Sequence, residues 1–123
     1  MNRFTGAIPD GYTKANKQEI QAALIQSLSV GTCLALCNEY YGELIIVPTG
    51  VAGNLVLQHG FYPIAYIRRS ETGTLTAALN VEVADSGQFA RLQNLIKETC
   101  AKVIECPNAG KLIEFVDANQ NFS

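Results

Sequence analysis

The order of patterned segments predicts an α+β domain: a mostly antiparallel sheet of five or six strands with two helices. Three observations carry that class. Two stretches, beginning near Asn16 and near Asp85, repeat apolar residues at steps of three and four. Between them lie five short runs, apolar or strictly alternating, punctuated by Gly-containing turns. Their order, α-β-β-β-β-β-α-β, lacks the regular strand–helix alternation of a parallel sheet.

Residues 1–12 read as an irregular arm, with Ile8-Pro9-Asp10-Gly11 forming a tight turn in which Pro sets φ and Gly closes it. Asn16 and Glu19 have capping-box spacing, with Thr13 as the rival cap. Ile20, Ala23, Leu24 and Leu28 then mark one helical face that ends near Gly31. Residues 32–38 and 43–47 flank Tyr40-Tyr41-Gly42 as a hairpin, and Leu44-Ile45-Ile46-Val47, apolar on both faces, is expected to be a central strand. Residues 54–58 and 62–69 form a second pair around His59-Gly60, with Pro63 at a strand start or an edge. After the turn 70–73, Leu75, Ala77, Leu79, Val81 and Val83 alternate with smaller or polar residues, as in a half-buried strand.

Asp85, with Gln88 three residues on, is expected to cap the second helix, whose apolar face is Phe89, Leu92, Ile96, Cys100 and Val103. Glu98 and Lys102 would pair on its outer face. Pro107-Asn108-Ala109-Gly110 is read as its stop, residues 112–116 as a last strand, and residues 117–123 as a polar tail. All 123 residues are expected to form one domain.

Composition excludes several classes of function. Hydrophobic residues make up 48% and charged residues 16%, so the chain is not a disordered linker. Net charge is −2, with no Lys/Arg stripe, which argues against duplex nucleic acid. The longest charge-free stretch, residues 44–67, contains two Pro, three Gly and the polar Asn54, Gln58 and His59; it reads as strands and turns rather than a membrane span. No signal-peptide pattern follows Met1, so a cytoplasmic location is expected. The four cysteines are expected to be free, buried thiols, because Cys33 and Cys37 would lie about 13 Å apart along a strand, too far for one metal ion. No cofactor or metal site is expected.

Two helices cannot cover both faces of such a sheet, and from Ile20 to Ile67 only Glu39 and Glu43 are charged. An uncovered apolar face predicts a homo-oligomer or a protein partner. A small anionic ligand such as a nucleotide is the sharper possibility. Arg68-Arg69 is the one dense positive point and follows Tyr66, a pairing of guanidinium and ring that suits an anion. Alternation should send the two guanidiniums to opposite faces, so that one of them reads the ligand. The Gly-rich loop between the apolar strand and its successor offers Thr49, Gly50, Gly53 and Asn54 as backbone donors, though it lacks a phosphate-loop Lys and no helix follows it. His59, the only histidine, lies in the next turn and completes the candidate ligand set. The expected function is therefore a non-enzymatic binding or interaction module. The alternative is a small enzyme using His59 or a cysteine with nearby carboxylates such as Glu39 and Glu43, although no nucleophile elbow is present and Asp85-Ser86-Gly87 reads as a cap.

Overall fold

Helix α1 (Lys17–Val30) begins with the expected capping box: the Glu19 N–H donates to Asn16 Oδ1 at 2.8 Å, and the Asn16 N–H to Glu19 Oε1 at 3.0 Å. The computed structural model describes residues 11–30, 33–49, 53–83 and 86–120. The Ile8–Asp10 part of the arm turn, Gly31, Thr32, Gly50 and Asp85 lie outside the described residues. Ahead of α1, β1 (Thr13–Lys14) lies parallel to β2, pairing Thr13 with Leu36.

The next five strands form the expected meander: β2 (Leu34–Asn38), β3 (Gly42–Pro48), β4 (Asn54–His59), β5 (Tyr62–Arg69) and β6 (Leu75–Asn80), each antiparallel to the one before. The charge-free stretch, read as strands and turns, supplies β3, β4 and most of β5 at the centre of this sheet. Pro63 stands near the start of β5, beside a register shift at Leu57/Gln58 that accommodates its missing N–H. The strand at residues 75–83 ends earlier than its alternation suggests. Asn80 Oδ1 accepts from the Glu82 N–H, and Gln93 of the following helix donates to the Asn80 and Glu82 carbonyls.

The C-terminal third departs from expectation. Helix α2 (Gly87–Thr99) is capped by Ser86, whose hydroxyl accepts from the Phe89 N–H, and its last residue precedes an extended Cys100. Residues 102–106 leave the helix as β7 (Lys102–Cys106), parallel to β6. Residues 109–120, read as a stop, a strand and part of a tail, form helix α3 (Ala109–Gln120). Asn108 opens it rather than closing α2, because its side-chain oxygen accepts from the Lys111 N–H at 2.9 Å. Glu98 consequently pairs with Lys17 of α1 at 2.8 Å instead of with Lys102. The sheet thus has seven strands in sequential order, with parallel pairings at both ends, and three helices among the described residues.

Alternation along the strands divides the interior in two. On one face Leu44, Ile46, Leu55, Leu57, Ile67 and Leu79 pack against Ile20 and Leu24 of α1 and Phe89, Leu92 and Ile96 of α2. On the other, Val56, Tyr66, Ala78 and Cys106 pack beneath Leu112 and Val116 of α3. Leu112 and Val116 are four residues apart, one helical turn, and both are fully buried. β6 is therefore buried on both faces through Ala77, Ala78, Leu79 and Asn80, not half-buried. Because α3 covers the second face over β5–β7, the premise of a sheet with one bare face does not hold there.

Candidate functional site

The register of the meander places one row of residues across four strands: Asn54 opposite Arg68, Arg68 opposite Thr76, Thr76 opposite Lys102. Directly opposed residues share a face, and this is the face that α3 covers. The next row along contains Val56, Tyr66, Ala78 and Ile104. Where the rows meet α3 there is a cavity of about 150 Å³. Its polar wall is Tyr66, Arg68, Arg69, Ser70 and Thr76; its apolar wall is Ala78, Ile104 and Phe115. Among the described residues, its lining includes no carboxylate.

Tyr66 is fully buried, and its ring meets that of Phe115 at 6.1 Å. The Asn54 amide donates to the Tyr66 hydroxyl at 2.7 Å. That bond uses the phenol as an acceptor and leaves its own proton to donate onward. Burial pushes the Tyr66 phenol above its ordinary value, and the nearby Arg68 charge offsets part of that rise. At neutral pH the group is a neutral donor. Arg69, the last residue of β5, pairs with Leu75, which packs toward the α1–α2 core, yet it also contributes to the cavity wall.

Seen against known proteins, the chain matches no family model, no curated protein and no solved structure. Its site stands on its own geometry.

Of the residues predicted for a ligand site, Tyr66, Arg68, Arg69 and Asn54 come together at this end of the sheet. Thr49 and Gly53 lie beside them: the Thr49 hydroxyl donates to the Asn54 carbonyl at 3.4 Å, and Gly53, at φ +83, accepts from the Arg69 N–H at 2.9 Å. His59 does not belong. It ends β4, five residues and about 17 Å from Asn54. It shares a face with its cross-strand partners Leu44 and Tyr62, and its ring meets Phe89 at 6.1 Å. Sequence reasoning missed Ser70, Thr76, Ile104 and Phe115. Only the pairing of β6 with β7 and the packing of α3 bring them in.

A larger cavity, about 890 Å³, surrounds the β2–β3 turn and includes Lys14, Glu19, Cys37, Glu43 and His59 in its walls. Its ionisable groups do not converge. Cys37 pairs with Glu43 on one face, while His59 lies with Leu44 on the other. Glu19 is engaged in the helix cap, and the Tyr12 phenol, raised by burial and by Glu43, hydrogen-bonds Glu43. A thiol–imidazole or carboxylate–imidazole pair of the kind nucleophilic catalysis needs is not formed there. The four cysteines are free, and burial raises Cys33 and Cys106 and pushes Cys100 up to about 11, which disfavours the reactive thiolate at these three. No helix among the described residues is long and apolar enough to cross a membrane.

Proposed function

We propose that this protein is a non-enzymatic binding module whose working site is the cavity beneath α3, where it takes an anionic group of phosphate size. The observation that carries the reading is a guanidinium, Arg68, and the hydroxyls of Tyr66, Ser70 and Thr76 around one cavity. Guanidinium and hydroxyl donors suit an oxyanion. Size narrows the ligand. At ~30 Å³ per water, 150 Å³ corresponds to about five water volumes. Pockets that bury a drug-sized ligand run from about 300 Å³ upward, so a whole nucleotide is too large and only its anionic end would enter.

Arg68→Ala should weaken binding of inorganic phosphate by about 10–150-fold, the equivalent of about 1.5–3 kcal/mol for hydrogen bonds to a charged group. Arg68→Lys should recover only part of that, because ammonium restores charge but not the planar fork. Titration calorimetry on the parent and both variants checks this. Equal affinities in all three would remove the reading.

A further inference from the structure

We propose that this cavity selects a doubly charged tetrahedral oxyanion, phosphate or the terminal group of a phosphate monoester, over a carboxylate. The selecting element is a second cation, Lys102, which the sheet register sets in the same row as Arg68. The inference rests on the anion-binding reading above and names its ligand class.

Thr76 stands between the two cations, opposite Arg68 on one side and Lys102 on the other. With strands about 4.8 Å apart, the Cα atoms of Arg68 and Lys102 are separated by about 10 Å, and both side chains rise from one face. Lys102 is exposed and, among the described residues, has no salt-bridge partner. Glu98, the partner its sequence position suggests, is held by Lys17. Glu105, the acidic residue of β7, pairs with Leu79 and so faces the opposite side of the sheet.

A carboxylate has two oxygens in a plane and one charge, and one guanidinium fork satisfies it. A phosphate dianion has oxygens in four directions and about twice the charge. The cavity wall offers the planar fork of Arg68 and the hydroxyls of Thr76 and Tyr66; Lys102, outside that wall but in the register row of Arg68 and Thr76, adds a point charge on a flexible stem. Ile104, exposed and two residues along β7 from Lys102, forms the apolar wall of the cavity on the side nearest that lysine.

The test is a set of titrations at pH 8 and constant ionic strength with phosphate, sulfate and acetate, on the parent, Lys102→Gln and Arg68→Gln. The parent should hold phosphate and sulfate about tenfold or more tighter than acetate, a difference of about 1.4 kcal/mol. Lys102→Gln should abolish most of that preference while leaving acetate nearly unchanged; Arg68→Gln should weaken all three. Lowering the pH to 5 should weaken phosphate, which is then singly charged, but not sulfate. If the parent binds all three anions alike through Arg68, or Lys102→Gln keeps the dianion preference, the proposal fails while the anion site stands. If the parent binds none, both fail. Ethyl phosphate separates the two sources: binding beside phosphate assigns the site to monoester ends, phosphate alone to the free ion, and either result supports the proposal. Lys102 is exposed, so its variant should fold, and circular dichroism confirms that for both variants.

Discussion

At Gly42 the backbone has φ +84, and a Cβ there would stand 2.7 Å from His59 Nε2 and 2.8 Å from Gln88 Oε1. Gln88 is fixed in that position by its own amide, which donates to the Glu39 carbonyl at 3.1 Å. Gly42→Ala should therefore destabilise the fold by about 1–3 kcal/mol through the strained backbone and the displaced contacts, read as a lower denaturant midpoint at unchanged slope. His59 lies on this side of the molecule, with its ring against that of Phe89. His59→Ala should leave phosphate affinity unchanged, and a loss of binding in a folded variant would overturn the placement of the site. Arg68 and Tyr66 were legible as candidates because guanidinium beside phenol is a chemical signal that needs no tertiary information. Thr76 was not, because its place opposite Arg68 depends on the length of the intervening turn. The Ser70 N–H donates to the Thr74 carbonyl, so the turn runs one residue beyond the expected 70–73.

Helices α1 and α2 and the meander from β2 to β6 follow from periodicity and caps, while β7 and α3 do not, for identifiable reasons. Cys100 and Val103 continue the apolar stripe of α2, yet both pack on the α1–α2 core from beyond the helix end. The stripe was thus a property of the core they share, not of the helix. Conversely, Leu112, Phe115 and Val116 have helical spacing, but β-branched and aromatic content and the nearby Pro107 and Gly110 masked it. The helical reading makes a demand: Leu112→Ala should cost about 2–5 kcal/mol, since the residue is fully buried between α3 and the sheet. The thiol at the end of α2 makes another. The folded Cys100 value, about 11, lies above the ordinary 9.0, so unfolding releases a proton as pH passes 9. Its contribution is complete below pH 9 and is lost progressively as pH rises toward 11. Cys100→Ala should show a shallower alkaline fall in Tm than the parent, and parallel curves would contradict the burial-driven shift.

For the molecule as a whole, the sequence reading had the right class and the wrong closure. A sheet with two helices leaves one apolar face bare and calls for a second subunit; a third helix closes much of that face from within the chain. Composition could not tell these apart, since both bury the same residues. Removing residues 107–123 should bare Val56, Tyr66, Ala78 and Cys106, and the shortened chain should self-associate more strongly than the full one at equal concentration in light scattering. If the two behave alike, α3 does not serve as the cover of that face. Closure by α3 is also what makes the anion cavity, because Phe115 is part of its wall.

The most direct test is a map of amide chemical shifts in labelled protein as inorganic phosphate is added. Arg68, Thr76, Tyr66, Asn54 and Ile104 should shift together along one saturable curve, while Gly42, Gly60, Tyr62 and Gln88, at the opposite end of the sheet, stay still. Shifts confined to that opposite end, or none at any phosphate concentration, would contradict the account.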